Sequence, residues 1–223
     1  MTKSMRSLTM LGTLAFGLGA CQQYLAPQNP LAASPFRPVP SGPGVFETFE
    51  AGPMKSVWYG SAGAPDSIIP AITNEDFYTG GHSLKYTVSV NPSGWGSVGQ
   101  DLDSNFGVVD ATGKSQMTLR VRASSAFTLS TLLFETGSGG MSCAEGGTGQ
   151  AWVLPPQHVP AAAGWQEVTV SIASPTPFNK NSCVTAGSFN KAAIKTLELD
   201  FGPTSPATVL NATIYVDDIV FEP

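Results

Sequence analysis

Near one end of this 223-residue chain stands the sequence Thr213-Ile214-Tyr215-Val216-Asp217-Asp218-Ile219-Val220-Phe221. At the period of two that characterises a β-strand, Ile214 and Val216 share one face. Beyond the acids, Ile219 and Phe221 have the opposite parity. A slip of one residue in the apolar alternation predicts a β-bulge at Asp217-Asp218.

Two adjacent carboxylates within an apolar strand are costly to bury unless a cation or hydrogen-bond donors satisfy them. Two interpretations are therefore open: a metal ion binds there, or backbone amides, a lysine or water satisfy Asp217 and Asp218. Much earlier in the chain lies the segment Val45-Phe46-Glu47-Thr48-Phe49-Glu50-Ala51-Gly52. Because the first and last strands of a β-sandwich often pair, we expect Glu50 to approach Asp217 and complete an oxygen-rich site.

The composition narrows the class of protein. Charged residues make up 12% of the chain, well below the roughly 25% of ordinary soluble domains, whereas 24 glycines and 18 prolines are present. This mixture favours short strands joined by many turns in an extracytoplasmic protein. The formal net charge is −5 and the sequence has no basic stripe, which argues against nucleic acid as a partner.

The first 20 residues have the pattern of a secretory signal peptide. Lys3 and Arg6 form its charged start, and the apolar run 8–18 is too short for a permanent membrane span. The sequence Leu18-Gly19-Ala20-Cys21 resembles the lipobox of bacterial lipoproteins, which implies export, lipidation of Cys21 and anchoring to a membrane of the cell envelope. Gln22 after the cysteine favours the outer membrane. An ordinary signal peptide with a chance cysteine is the alternative.

After this leader, residues 21–44 contain six prolines among small and polar residues and are predicted to form a lipidated tether. The folded domain is expected over 45–223. Two cysteines remain there, Cys143 and Cys183, both in Gly/Ser/Asn-rich loops. In an exported domain such a pair most often forms a disulfide, and two free thiols are the alternative. The two histidines, His82 and His158, give no zinc-binding spacing.

Within the domain, apolar and polar residues alternate between turn signals, and no segment has a sustained helical period. Clear strand patterns occupy 83–90, 116–123, 127–135, 165–172 and 194–201, with shorter ones at 97–102 and 150–154. Nine or ten short strands without crossover helices predict an all-β fold, an antiparallel β-sandwich.

Five motifs follow one another along the domain: Phe49-Glu50-Ala51-Gly52, Gly80-Gly81-His82-Ser83-Leu84-Lys85, Gly94-Trp95-Gly96, Gly164-Trp165-Gln166-Glu167-Val168-Thr169-Val170 and Ile214-Tyr215-Val216-Asp217-Asp218-Ile219. In order and spacing they resemble the jelly-roll carbohydrate-binding modules of the galactose-binding-like superfamily, with the family 11 modules nearest. This superfamily also serves as a protein-binding and structural domain, so the resemblance is more specific for the fold than for a ligand.

The resemblance implies a structural calcium ion between the first and last strands. Its carboxylate ligands would be Glu50, Asp217 and Asp218, and backbone carbonyls around Gly81 and Ser83 would complete the shell. Hard oxygen donors of this kind suit calcium.

Sugar binding needs flat aromatic rings for stacking and polar side chains for the hydroxyl groups. Trp165 opens an apolar strand and is predicted to be structural. Candidates for ligand contact are Trp58, Tyr59, Tyr78, Trp95, Arg120, Arg122 and Trp152.

No arrangement for catalysis is recognisable. Among Glu135, Glu145, Glu167 and Asp200 no spacing singles out a pair of carboxylates for glycoside hydrolysis, and no Gly-x-Ser-x-Gly elbow precedes a helix. The sequence therefore favours a non-catalytic lipoprotein that binds a glycan or polysaccharide at the cell envelope. The alternative is a structural lipoprotein, or one that binds other envelope proteins, with the same sandwich and no sugar site.

Overall fold

A computed structural model describes residues 37–50, 58–63, 65–92, 94, 96–101, 108–134, 151–178 and 189–223. Cys21, Trp95, Cys143 and Cys183 lie outside these residues, so the predicted lipidation and disulfide stay predictions. Twelve strands lie within the described residues: β1 (Val45–Glu47), β2 (Trp58–Ala62), β3 (Ser67–Thr73), β4 (Ser83–Val90), β5 (Gly96–Asp101), β6 (Gln116–Ala123), β7 (Phe127–Phe134), β8 (Ala151–Val159), β9 (Gln166–Ser171), β10 (Thr176–Pro177), β11 (Thr196–Gly202) and β12 (Leu210–Glu222).

The strands form two antiparallel sheets. The first sheet has the order β3-β4-β12-β6-β9, with β1 paired to β12, and the second has the order β10-β8-β7-β11-β5-β2. Between residues 37 and 223, the described part contains a single short 3-10 helix, Lys191–Ala193, and no α-helix. None of its helices is long and apolar enough to cross a bilayer. The predicted all-β antiparallel sandwich of the jelly-roll type is confirmed.

The core lies between the sheets and follows the alternation of the sequence. Tyr86 of β4 packs against Phe201 of β11, with ring centroids 5.0 Å apart, and Phe201 packs against Phe127 of β7 at 5.4 Å. Residues that share these inward positions are fully or almost fully buried: Leu84, Val88, Val90, Met117, Leu119, Val121, Val168, Val170, Leu197, Leu199, Ile214 and Val216. Each such side chain contributes roughly 1.5–3 kcal/mol through removal from water.

Strand β12 is the centre of the first sheet and changes neighbour along its length. It pairs with β4 up to Val216 and with β1 at Ile219 and Val220. Its register with β6 shifts between Asp217 and Val220, and Asp218 has a left-handed φ of 45°. The predicted bulge is therefore confirmed. The bulge keeps the strand apolar on its inner side, because both Val216 and Ile219 are completely buried.

Residues that precede β1 also contact the sandwich. The amide of Phe221 donates to the Gly44 carbonyl at 2.7 Å, and the guanidinium of Arg37 lies 4.0 Å from the centroid of the Tyr78 ring. The end of the predicted tether therefore lies against the domain from residue 37 onwards.

Candidate functional site

The two acids of the β12 bulge lie beside the connection from β3 to β4. Asp217 accepts hydrogen bonds through Oδ2 from the amides of Tyr78, at 2.7 Å, and Thr79, at 3.1 Å, and through Oδ1 from the amide of Asp218 at 2.8 Å. Asp218 accepts from the Thr79 hydroxyl at 2.8 Å. Of the two interpretations open at the outset, backbone amides account for the buried Asp217.

Glu50 binds the same connection a few residues further on. Its Oε1 accepts from the amides of Gly81 and His82, each at 2.8 Å. Gly80 has a φ of +59°, and a Cβ placed there would lie 2.2 Å from the Glu50 carboxyl carbon. Only glycine therefore admits this carboxylate without displacement. We call Glu50, Asp217 and Asp218, with the connection 76–82, the acid clasp.

The protonation of the acid clasp differs from that of exposed acids. Burial, and to a smaller extent the adjacent Asp218, raises the pKa of Asp217 to about 8, although the three amide hydrogen bonds act in the opposite direction. Burial also raises the pKa of Asp218 to about 6, against the lowering effects of the Thr79 hydroxyl and of Arg120. Because the two adjacent acids are largely buried and repel each other when both are charged, their simultaneous ionisation is unfavourable.

The predicted calcium ligands are only partly brought together. Glu50, Asp217 and Asp218 all bind the connection between β3 and β4. Gly81 contributes its amide to Glu50, and the buried Ser83 donates its hydroxyl to the Asp76 carbonyl. Within the described ranges, no group of three or more His, Cys, Asp or Glu side chains is placed to hold a metal ion. As arranged, the residues fit a hydrogen-bonded clasp, and calcium stays a prediction.

The predicted sugar-binding residues are divided between opposite sheets. Arg120 and Arg122 lie on β6 of the first sheet, whereas Trp58 and Tyr59 lie on β2 and Trp152 on β8 of the second. These candidates therefore do not line a single surface of the sandwich. Alternation identifies the outward parity of a strand, but it does not reveal to which sheet the strand belongs.

On the first sheet the two arginines are already paired. Arg120 forms an ion pair with Glu167 and lies 4.7 Å from the centroid of the Tyr78 ring. Arg122 pairs with Asp76, whose Oδ1 also accepts from the indole nitrogen of Trp165 at 2.9 Å. Trp165 is buried, in agreement with its predicted structural role.

Trp152 is buried as well, with only 3% of its surface exposed. Its ring packs against Phe189 at a centroid distance of 5.7 Å. The register of the second sheet aligns Trp152 with Leu133, and Leu133 with Leu197, both core residues. Trp152 is therefore a packed side chain in this arrangement and not an open stacking platform.

The outer face of the second sheet carries an acid, Glu198, that belongs to none of the sequence motifs. Glu198 of β11 is 8% exposed, and its Oε2 is buried without a hydrogen-bond partner in the described part of the chain. Its neighbours along the strand, Leu197 and Leu199, point into the core, so Glu198 and Asp200 belong to the opposite face. The acid-apolar alternation of 197–201 is the sequence signal that marks this face.

Glu198 lies in a cross-strand row that reaches one of the predicted aromatic residues. The backbone register aligns Glu198 with Leu132 of β7 on one side and with Gly99 of β5 on the other, and Gly99 with Tyr59 of β2. Two strand spacings separate Tyr59 from Glu198, about 10 Å. The backbone positions of Glu198 and Tyr59 are thus separated by about the length of one or two sugar rings across the same sheet.

Neither a protein-family model nor a curated protein sequence matches this chain. Solved structures do. The family 11 carbohydrate-binding module from Clostridium thermocellum, in complex with a β-1,3-1,4-mixed-linked tetrasaccharide, is similar with a TM-score of 0.56 and 12% identity, over 82% of this chain and 97% of that one.

Two further structures are similar over 82% of this chain. The family 11 module of the cellulosomal cellulase Lic26A-Cel5E of Clostridium thermocellum has a TM-score of 0.55 and 11% identity over 96% of its length. A structure that describes promiscuous specificity in carbohydrate-binding modules of the β-sandwich superfamily has a TM-score of 0.50 and 16% identity over 63% of its length. At these identities the likeness is one of fold, and it confirms the resemblance to jelly-roll modules that the motifs indicated.

Proposed function

We propose that this chain binds a glycan without catalysis, on the outer face of its second sheet. The observation that carries the proposal is the Glu198 carboxylate, which is almost fully buried and has an oxygen without a partner among the described residues. An unpaired buried carboxylate costs stability, so a ligand that supplies hydrogen-bond donors would offset that cost. Sugar hydroxyl groups are donors of this kind.

The fold supports the same conclusion. The similar solved structures described above are carbohydrate-binding modules, and one of them is in complex with a β-1,3-1,4-mixed-linked tetrasaccharide. Glu167 and Asp200, two of the acids considered for hydrolysis, lie on different sheets. These two acids therefore do not form a catalytic pair within one site. Glycan binding requires only hydrogen-bond acceptors and an aromatic ring on the same face of the domain.

Affinity gel electrophoresis against a panel of soluble polysaccharides tests the proposal, with mixed-linked β-1,3-1,4-glucan included. We expect retardation on at least one polysaccharide. Glu198→Gln should weaken binding about 10- to 100-fold, because a hydrogen bond to a charged acceptor contributes about 1.5–3 kcal/mol. Glu222→Gln, the same change on the first sheet, is the matched control.

The stability of the Glu198→Gln protein separates a binding role from a structural one. Because one oxygen of Glu198 is buried without a partner among the described residues, its replacement should leave the melting temperature unchanged or higher. A lower melting temperature together with unchanged retardation would show that Glu198 stabilises the fold and does not bind glycan. No retardation of the natural protein on any polysaccharide would overturn the proposal.

We further propose that the domain is held at a bacterial envelope by a lipid on Cys21, on the strength of the Leu18-Gly19-Ala20-Cys21 sequence. Metabolic labelling with an alkyne fatty acid should mark the natural protein and not Cys21→Ser. Equal labelling of both proteins, or of neither, would contradict the anchor. This outcome is independent of the glycan result.

A further inference from the structure

A small apolar cluster lies on the outer face of the second sheet, apart from the core between the sheets. Its members are buried or partly buried and are Leu132, Ala151, Val153 and Phe178. The residues that alternate with them along β7 and β8, Leu133 and Leu154, belong to the core. Because successive side chains of a strand point to opposite faces, the cluster faces outward. We call these four residues the outer apolar cluster.

The backbone register places the outer apolar cluster beside Glu198. Leu132 is aligned with Glu198 of β11 on one side and with Val153 of β8 on the other. Side chains at such opposite positions have Cβ atoms about 4.5–5.5 Å apart, close to the width of one pyranose ring. Phe178 follows β10, and its amide donates to the Ala151 carbonyl at 2.8 Å, which holds the aromatic residue beside β8. A buried carboxylate oxygen without a partner among the described residues thus adjoins an apolar surface.

The two sheets differ in their positive charges. In the first sheet, Lys85, Arg120 and Arg122 each form an ion pair with an acid of the chain. Among the described residues, the six strands of the second sheet contain no lysine and no arginine, although Glu198 and Asp200 lie on its outer face. The ion pairs found within the described ranges do not include Glu198.

The basic residues nearest to Glu198 along the second sheet lie apart from it. Lys195 directly precedes β11, three positions or about 10 Å of extended chain from Glu198, and has the opposite parity. His158 of β8 is aligned with Thr128, and Thr128 with Gly202, which is four positions or about 13 Å along β11 from Glu198. The strands of this sheet, as far as they are described, therefore supply Glu198 with no countercharge.

A ligand with a protonated amine would supply this carboxylate with both a donor and a countercharge. An ammonium group carries three hydrogen-bond donors together with a positive charge, whereas a hydroxyl group brings one donor and no charge. Hydrogen bonds between charged partners are shorter and about twice as strong as neutral ones. Because a buried charge is unfavourable without an opposite charge, the Glu198 carboxylate favours a cationic partner over a neutral one.

We infer that the ligand of the proposed glycan face contains a free amino sugar, with glucosamine as the unit that contacts Glu198. The ammonium group of the sugar would donate to the Glu198 oxygen, and the apolar face of its ring would lie on the outer apolar cluster. The inference rests on the proposed function, because it names the class of sugar that the same face would bind.

Isothermal titration in slightly acidic buffer, where the amine of glucosamine is protonated, tests the inference. The ligands are three β-1,4-linked hexasaccharides that differ only at carbon 2 of each unit: glucosamine has an ammonium group there, N-acetylglucosamine a neutral acetamide and glucose a hydroxyl group. The glucosamine hexasaccharide should bind about tenfold or more tightly than the other two. Glu198→Gln should remove this preference, because it deletes the charge and keeps the size of the side chain. Glu222→Gln, the same change on the first sheet, should keep the preference.

Three results would overturn the inference: equal affinity for the three hexasaccharides, a preference for glucosamine that survives in Glu198→Gln, or equally tight binding of hexalysine, which would make the face a site for basic peptides. Tighter binding of the glucose hexasaccharide, weakened by Glu198→Gln, would refute the amino sugar and leave the proposed function standing. Absence of binding by all three hexasaccharides would also refute the inference, and the polysaccharide panel would then decide the proposed function by itself.

Discussion

The amide nitrogen of Tyr78 donates to Oδ2 of Asp217 at 2.7 Å, across 139 positions of sequence. This hydrogen bond joins the connection between β3 and β4 to the bulge at which β12 leaves β4 and pairs with β1. The amides of this connection are thus satisfied by a side chain of the central strand. The bulge turns the carboxylate toward them, which a regular strand would not do.

Asp217→Ala should destabilise the domain by about 2–4 kcal/mol, because it leaves buried amide donors without an acceptor. Urea unfolding measures the loss. Asp110→Ala is the matched control, because Asp110 also accepts a backbone amide, that of Thr112 at 2.8 Å, but is exposed. We expect a loss of about 1 kcal/mol or less for the control. Equal losses in the two variants would contradict the idea that Asp217 stabilises the domain as the acceptor of buried amides.

Stability should fall as the pH rises from about 4 to about 8. The pKa of Asp217 is raised to about 8 and that of Asp218 to about 6, chiefly by burial, so the folded state holds protons that the unfolded state releases near pH 4. The contribution of the two acids to the free energy of unfolding is complete below their pKa in the unfolded chain. It is lost as the pH rises through their pKa values in the folded protein. The melting temperature in chelator, measured from pH 4.5 to 8.5, checks this.

Asp218→Asn should flatten this pH dependence, because it removes one of the two coupled acids. Glu75 and Asp110 do not obscure the test. Ion pairing with Lys85 and a hydrogen bond from Thr112, respectively, lower the pKa of these exposed acids, so their effect is confined to pH values below about 4.5. A melting temperature that rises from pH 4.5 to 8 would show that the acids are ionised in the folded state without cost.

Calcium, if it binds the acid clasp, should reverse the effect of pH. A divalent cation favours the ionised acids, so added calcium should raise the melting temperature at pH 8 and much less at pH 4.5. Magnesium serves as the control, because it is smaller and loses its water less readily. An unchanged melting temperature at pH 8 would leave the amides as the means by which these acids are satisfied.

Gly80→Ala should destabilise the domain more than Gly113→Ala. Both glycines have positive φ, +59° and +75°, so the backbone strain of the two alanines is similar. A Cβ at position 113 meets nothing within 4 Å, whereas a Cβ at position 80 meets the Glu50 carboxylate. Displacement of that carboxylate would break its hydrogen bonds to Gly81 and His82. Urea unfolding should show an extra loss of about 1–3 kcal/mol, and equal losses would mean that Glu50 moves freely.

The strands with clean alternation could be predicted to the residue, and the others could not. The patterns at 83–90 and 116–123 coincide with β4 and β6. Strand β3, Ser67–Thr73, was missed because it is an edge strand that carries Pro70 and exposes Ile69. An edge strand tolerates a proline and has a less complete apolar face, so its pattern is weak.

The acid clasp could be anticipated and the binding face could not. Asp217 and Asp218 break an apolar alternation, which is visible in the sequence. Glu198 also interrupts an apolar run, but many acids at outward strand positions do so and simply face water. The sequence pattern therefore does not distinguish Glu198 from them. Its distinction is that an oxygen is buried without a partner in the part of the chain described, and burial of that kind depends on the packing of several strands. No local pattern contains that information.

The hydroxyl group of Tyr86 lies at the centre of the core. Tyr86 is 0% exposed, its oxygen has no hydrogen-bond partner within the described residues, and burial raises the pKa of its phenol far above the usual value. Because a buried donor without a partner costs about 1–3 kcal/mol, Tyr86→Phe should keep or raise the free energy of unfolding. Ring packing against Phe201 is retained.

Tyr215→Phe is the matched control, because the Tyr215 hydroxyl lies 3.3 Å from Glu75 at the surface. Its removal should cost a few tenths of a kcal/mol, and roughly 1 kcal/mol at most. Urea unfolding of both variants gives the comparison. A loss above about 1 kcal/mol in Tyr86→Phe would show that the phenol has a buried partner, and an internal water molecule would then have to be sought beside it.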